Sequence, residues 1–306
     1  MSGATDIPWF SVIVPFHDRG AHIDDCLESI ARQRPAQFEI ICVDDGSTDD
    51  TLARLRHYAR PSAGFSITVL HQDNAGPGAA RNAGAAAARG RYLAFLDSDD
   101  RWLPWTLQTY KNALLVTGMP AFLTGQPALR RSHNDDAPPS NPLRLRYFAD
   151  YFSSSDAWRW FSASSFVIRR DVFDRVGGFT TERMNGEDAE LTMRLGTEAG
   201  FVHVEAPATF CYLEHPDSEV HNWDQTLAGW QFQYRHETLA MFPGGQRRAR
   251  DRLRILTRAS RSLSLALIAR RRRADALRIY QQTFRWNLEL RRFRYLIGFW
   301  IRAAGA

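Results

Sequence analysis

Arg91-Tyr92-Leu93-Ala94-Phe95-Leu96-Asp97-Ser98-Asp99-Asp100-Arg101-Trp102 is the stretch that decides the fold. An apolar run of strand length, Tyr92 to Leu96, stops at three carboxylates within four residues, as when a buried parallel strand delivers charge to the C-terminal edge of a sheet. Open α/β sheets bind their ligands at that edge. Carboxylates this close repel one another unless protons or a cation neutralise them, and hard oxygen ligands suit magnesium or manganese. Asp97-Ser98-Asp99 therefore reads as a metal-diphosphate site. The competing reading is an acidic turn in which Asp99 or Asp100 caps a helix opening at Leu103-Pro104-Trp105.

Working back from this strand, the pattern repeats. Ser11-Val12-Ile13-Val14-Pro15 is a β-branched run ended by proline, and Ile23, Cys26, Leu27 and Ile30 follow at helical spacing. Phe38 to Val43 is a second strand, again ending in carboxylates, Asp44-Asp45-Gly46-Ser47-Thr48-Asp49. Ser47-Thr48-Asp49-Asp50 supplies caps for a helix through Leu52, Leu55 and Tyr58. Ile67 to Leu70 is a third strand, and Asn74-Ala75-Gly76-Pro77-Gly78 leads into an alanine-rich helix over Ala79 to Ala88. Four strand-helix alternations in a hundred residues predict an α/β fold with a parallel sheet and right-handed crossovers. A dinucleotide-binding fold would carry its glycine-rich turn after the first strand. Here that turn, Phe16-His17-Asp18-Arg19-Gly20, has one glycine, and no Gly-Lys-Ser/Thr phosphate loop occurs.

The 306 residues are 44% hydrophobic and 24% charged, ordinary for a folded protein. Cys26, Cys42 and Cys211 show no metal or redox spacing, which favours a reducing compartment. No signal pattern opens the sequence, and no apolar run reaches the roughly 18 residues that span a bilayer, so the expected location is the cytoplasm. The net charge of +5 is unevenly placed. From Arg247 onward there are 17 arginines against three acids (Asp251, Asp275, Glu289), a surplus of +14 that leaves −9 on the preceding 246 residues.

Four segments in order, Ser11-Val12-Ile13-Val14-Pro15, Val43-Asp44-Asp45-Gly46-Ser47-Thr48-Asp49, Gly78-Ala79-Ala80-Arg81-Asn82-Ala83-Gly84 and Phe95-Leu96-Asp97-Ser98-Asp99-Asp100, resemble the nucleotide-binding half of the family 2 glycosyltransferases, inverting enzymes of GT-A fold. The resemblance continues through Gly177-Gly178-Phe179 and Gly186-Glu187-Asp188-Ala189-Glu190-Leu191, covering roughly residues 9 to 220. It implies a Rossmann-like, mostly parallel sheet flanked by helices. Its expected divisions are a nucleotide-sugar half over 1–103, an acceptor half over 104–242 and a basic helical extension over 243–306.

The resemblance also implies roles. Asp45 accepts a hydrogen bond from the N3–H of uracil, with Pro15 lining the base pocket and Asp44 assisting or shaping the turn. An ionised carboxylate only accepts, so it suits uracil or thymine better than cytosine. Asp97 and Asp99 hold a divalent cation, Mn2+ or Mg2+, on the diphosphate of a nucleotide-sugar donor, expected to be UDP-linked. Arg81 either reaches a phosphate or is an exposed helix arginine. Asp188, the second carboxylate of the Glu187-Asp188 pair, is the general base that takes the acceptor hydroxyl proton. His215, with His221 as fallback, completes the metal site. The acceptor is a glycan or lipid-linked glycan. Competing readings are a nucleotidyltransferase of related architecture, disfavoured because the chain has a single lysine, Lys111, and no basic phosphate loop after the first strand, and a non-catalytic binding protein of the same fold.

Two regions carry other expectations. Arg130 to Pro142 has the composition of a loop, and Trp158, Trp160 and Phe161 either stack on sugar rings or pack in the core. After Phe242-Pro243-Gly244-Gly245, leucines recur at helical spacing, Arg270 to Arg273 break the helix, and two further helical stretches follow, Ala274–Trp286 and Phe293–Arg302. These helices either lie on the inner face of an anionic membrane or pack on the body with their arginines against its surplus acids; nucleic acid is disfavoured for want of a recognised module.

Overall fold

The structure, a computed structural model, describes residues 7–33, 37–60, 67–130, 142–155, 157, 162–213 and 222–305. In chain order its first half runs β1 (Phe10–Phe16), α1 (Ile23–Ala31), β2 (Phe38–Asp45), α2 (Thr51–Tyr58), β3 (Ile67–Gln72), α3 (Pro77–Ala87), β4 (Tyr92–Phe95), β5 (Arg101–Trp102) and α4 (Thr106–Val116). The second half runs β6 (Phe122–Arg130), β7 (Arg144–Phe148), β8 (Phe166–Arg169), α5 (Arg170–Val176), α6 (Glu187–Arg194), β9 (Phe201–Leu213) and α7 (Trp223–Thr238). Three helices close the chain, α8 (Ala249–Ala269), α9 (Arg273–Glu289) and α10 (Phe293–Gly305).

One sheet crosses the whole body in the order β3-β2-β1-β4-β8-β6-β9-β5, with β7 on β9. β1 to β4 are parallel, as the βα alternation requires. Beyond β4 the sheet is mixed: β8 is antiparallel to both β4 and β6, while β6 and β9 run parallel. Every residue of β1 and β4 is buried, the continuous apolar reading of strands covered on both faces. On one face Val12, Val14, Ile40 and Cys42 pack under α1 and α4. On the other, Ile13, Val43, Leu93 and Phe95 pack under α3, α5 and α6.

That second cluster continues without a break into the C-terminal helices through Phe152, Trp230, Phe242, Leu256 and Leu267. The linker is sealed by Arg252, whose Nε donates to Glu237 at 2.7 Å while Nη1 donates to the carbonyls of Pro243 and Gly245 at 2.9 Å each. Arg248 pairs with Asp150, and Arg272 with Asp224. The first helix of the extension thus packs on the body, and some of its arginines do meet acids of the body. No helix among the described residues is long and apolar enough to cross a membrane.

The acidic turn does not cap a helix. Arg101-Trp102 pairs with β9, and α4 opens only at Thr106, with Trp105 in the cap position and no side-chain cap bond. Pro104 and the pairing to β9 together push the helix start past the carboxylates. Before α2, Asp50 holds the cap position without a side-chain bond, and it is Asp49 Oδ1 that accepts from the Thr51 N–H at 2.9 Å.

Candidate active site

The C-terminal ends of β1, β2 and β4 deliver Pro15, Asp44, Asp45 and Asp97 to one edge of the sheet. Strand alternation sends the neighbours Asp44 and Asp45 to opposite faces. Asp44 stands beside His71 in register, accepts from its Nδ1 side at 2.7 Å, and keeps a buried Oδ1 with no hydrogen-bond partner among the described residues. Asp45 stands beside Gln72 and gathers the loop that follows: Gln72 Nε2 (2.7 Å) and the Ala75 N–H (2.9 Å) donate to Oδ1, and the Gly76 N–H (2.8 Å) donates to Oδ2. Gly76, at φ 91°, lets the backbone turn around the carboxylate and still enter α3 at Pro77. A carboxylate offers about four lone-pair positions, so one stays open for a donor. Pro15 is buried at the adjacent strand end.

At the end of β4 the three aspartates diverge. Asp100 is buried, its carboxylate accepting from Ser164 Oγ at 2.5 Å, while that same oxygen accepts from the Asp97 N–H at 2.9 Å. Ser164, which lies in none of the motifs singled out in the sequence, thus shapes the acidic turn from within. Asp97 and Asp99 stay partly open, with 24% and 26% of their side chains exposed, and Asp99 lies 3.9 Å from Arg19.

Arg81 is the largest departure from expectation. It is not an exposed helix arginine: 6% of its side chain is exposed. Nη2 donates to Asp97 Oδ1 at 2.6 Å and Nη1 to Glu187 Oε1 at 2.8 Å, while the buried Nε lacks a partner among the described residues. Burial works against its charge, but Asp97 and Glu187 outweigh burial and raise its pKa above the ordinary arginine value. The guanidinium also sits 5.0 Å from the centroid of Phe179. Helical spacing alone placed Arg81 on α3; that α6 and β4 would close over it is a tertiary fact with no signal in the local sequence.

Phe179 is itself held by the next residue of the same motif. Asn82 accepts from the Phe179 N–H and donates to its carbonyl, both at 2.8 Å. The preceding Gly178 has φ +70°, and a Cβ there would lie 2.5 Å from Asn82 Oδ1. Gly178→Ala is expected to cost about 1–3 kcal/mol by combining left-handed strain with that clash, read as a lower urea midpoint at unchanged slope.

Glu187 and Asp188 open α6 behind Gly186. Asp188 accepts from the Ala189 N–H at 2.6 Å. Burial, then the charge of Glu187, pushes the Asp188 carboxyl up to about 7, against the pull of that hydrogen bond and of Arg81. Burial also raises Asp97, with Arg81 opposing and the charges of Asp99 and Glu187 adding to the rise. The Arg81 bridge therefore brings the acidic turn of the first half and the acidic helix start of the second into one locus.

The Glycosyl transferase family 2 profile matches residues 11–177. The chain belongs to that family. Among its relatives is the uncharacterized glycosyltransferase EpsJ of Bacillus subtilis, 29% identical over 224 residues, which are 69% of this chain and 63% of EpsJ. Validoxylamine A glucosyltransferase of Streptomyces hygroscopicus subsp. limoneus is 31% identical over 229 residues, 64% of this chain and 49% of that one. The chain spans still less, 28% and 31%, of YibD of Escherichia coli and EpsH of B. subtilis. Solved structures share the GT-A fold: S. aureus TarS 1-349 with UDP-GlcNAc (TM-score 0.56, 19% identity, 90% of this chain and 91% of that one) and the mannosyltransferase PcManGT of Pyrobaculum calidifontis with GDP-Man and Mn2+ (TM-score 0.56, 20% identity, 98% and 87%).

Among the described residues no three His, Cys, Asp or Glu side chains converge as a metal cage. His215 and His221 lie outside the described residues, as do Trp158, Trp160 and Phe161. The donor set that is described, Asp97 with Asp99, fits a hard divalent cation of the kind that takes one or two carboxylates and fills its remaining positions with substrate phosphate and water. Side chains missed in the sequence border the same edge: His17 Nδ1 lies 2.9 Å from the Asp45 carbonyl, and Arg183 donates to the Asn74 carbonyl at 2.9 Å. Neither sits in a motif of recognisable spacing.

Proposed function

We propose that this protein is an inverting glycosyltransferase that moves a sugar from a nucleoside-diphosphate donor, UDP-linked, to a hydroxyl of a glycan or lipid-linked glycan. The observation that carries the reading is the placement of a carboxylate poised near neutrality, Asp188, beside the Arg81 bridge to Asp97. A base is most effective when its pKa lies near the working pH, and Asp188 is raised to about 7.

In this reading Asp45 and Pro15 receive the base, Asp45 through the acceptor position left open by its three existing bonds. Structures of the same fold carry UDP-GlcNAc in one case and GDP-Man in another, so fold leaves the base undecided. The acceptor-only chemistry of Asp45 favours a base that presents a ring N–H, uracil through N3 or guanine through N1, over cytosine, and the resemblance of the Asp45 and Pro15 positions to a uracil pocket is what favours UDP. Asp44 keeps the turn after β2 in place through His71. Asp97 and Asp99 would hold Mn2+ or Mg2+, which when bound offsets the negative charge growing on the departing diphosphate. Arg81 keeps Asp97 oriented and keeps Glu187 off Asp188. Asp188 takes the acceptor proton as the hydroxyl oxygen attacks the anomeric carbon from the face opposite the diphosphate.

Calorimetric titration with UDP, TDP, GDP and CMP, each with and without Mn2+, tests the donor side. UDP and TDP are expected to bind best, with affinity that rises in Mn2+. Asp99→Ala is expected to remove the Mn2+-dependent part, a loss of at least about tenfold, while the metal-free affinity stays. A preference for GDP would overturn the assignment of Asp45, and unchanged Mn2+ dependence in the variant would remove Asp99 from the metal site.

A further inference from the structure

The outermost helix carries two apolar faces, and the fold uses one. Tyr295, Leu296 and Phe299 of α10 are buried against α8 and α9, where Tyr295 bonds Ser264 and Phe299 stacks on Tyr280 with ring centroids 4.3 Å apart. A packed surface helix normally turns charged residues outward from there. This one does not. Phe293 (53% exposed), Ile297 (65%), Trp300 (53%) and Ile301 (70%) recur at i, i+4, i+7 and i+8, a single stripe beside the buried one.

The stripe widens onto the neighbouring helix. Trp300 caps Tyr280 edge-on at 5.6 Å and donates to its hydroxyl, and Tyr280 in turn touches Phe284, which is exposed as Leu288 is one turn further along α9. Where α8, α9 and α10 meet, an apolar cleft of about 340 Å³ opens between Ile268, Leu277, Phe299 and Trp300, with Arg273 among its lining residues. The same elements carry exposed arginines: Arg271 and Arg273 at the α8–α9 turn, Arg278 and Arg285 on α9, Arg291 at the next turn, and Arg294 and Arg302 on α10, while Arg270 is stacked over Trp223 of α7. The only exposed acid of α9 and α10 is Glu289, Asp275 being partly buried.

We infer that this face of α9 and α10 docks on an anionic lipid bilayer, with the stripe among the acyl chains and the arginines at the headgroups. The inference goes beyond the transfer reaction and does not depend on it. At 13 residues α10 is about 20 Å long, too short to span a bilayer and suited to lying in its plane. Charge decides the occupant. A second copy of this chain would bring the same arginines face to face, whereas anionic headgroups complement them and basic residues near such a surface each add attraction. A nucleic acid would satisfy the arginines and leave the isoleucines in water.

The test is co-sedimentation of the full chain with vesicles of phosphatidylcholine alone and of phosphatidylcholine mixed with phosphatidylglycerol. Binding is expected to the mixed vesicles, weakened by salt. The doubly substituted Ile297→Asn, Ile301→Asn chain is expected to bind at least about tenfold more weakly, since two side chains that bury in the interface are lost. Both positions are among the most exposed of the helix, and the melting temperature checks that the variant folds. Absence of binding by the folded chain to mixed vesicles, equal binding to both vesicle types, or full binding by the double variant would overturn the inference. So would sedimentation of the free chain as a dimer that the double variant converts to monomer, which would make the stripe a contact between copies.

Discussion

Asp188→Asn is expected to lower kcat by about a thousandfold while nucleotide affinity stays within about twofold, because a general base contributes to the transition state and not to donor binding. The same change is expected to make the protein more stable at alkaline pH. Asp188 titrates near 7 in the folded chain, against 3.8 for an unperturbed carboxyl. Between those values the folded state holds more protons than the unfolded state, so stability contributed at this position falls as pH rises and is lowest above about 7. Asparagine keeps the shape and removes the titration. In thermal melts the variant is expected to exceed the parent by on the order of 1–3 kcal/mol near pH 8, partial solvent access trimming the full linkage value, with the gap closing near pH 4. The transfer rate of the parent is expected to rise with pH through the Asp188 titration and then level off. A variant that is inactive and no more stable at pH 8 would leave the catalytic role standing and remove burial as the source of its basicity. A variant of full activity would remove Asp188 as the base.

The fold was legible where strands are buried on both faces. β1, β2 and β4 announce themselves as apolar runs that end in proline or carboxylate, and the order of the elements then leaves few topologies open. The mixed half was less so. β6 contains Gly125 and Pro127 and β9 contains Pro207, β7 is only five residues long, and all three pair through register shifts, so neither period 2 nor period 3.6 stands out. α7 was missed for a related reason: its sequence, Trp223-Asp224-Gln225-Thr226-Leu227-Ala228-Gly229-Trp230, mixes polar and apolar residues without a stripe, and only Gly229, Trp230 and Gln233 are buried. In the candidate site, the placement of Asp45, Asp97, Asp99 and Asp188 at strand and helix ends was legible from the motifs, since short spacing ties them to those ends. What joins them did not. Arg81 is 16 residues from Asp97 and 106 from Glu187, and no local pattern states that one guanidinium will bridge the two.

That bridge is the second place where a large effect is expected. Arg81→Met keeps the length and apolar character of the side chain and removes its charge, leaving Asp97 and Glu187 facing each other across a covered site with Asp188 close by. Breaking a buried pair by deleting one partner costs about 3–5 kcal/mol, because the remaining charges are neither solvated nor compensated. The cost should depend on pH in a definite direction. Without the guanidinium the carboxyls bind protons more tightly in the folded state, so the penalty is full at alkaline pH and shrinks as pH falls and they neutralise. Arg81→Lys restores one positive charge but lacks the fork that reaches both carboxylates, and falls between the two. Guanidinium denaturation of all three chains near pH 8 and near pH 5 separates the outcomes. A loss in Arg81→Met that is the same at both pH values would mean that the side chain acts by packing on Phe179. A loss that fades in acid, and is partly recovered near pH 8 by Mn2+ with UDP, would place the positive charge at the centre of the site: the acidic turn and the base share one counter-charge, and the donor complex brings another.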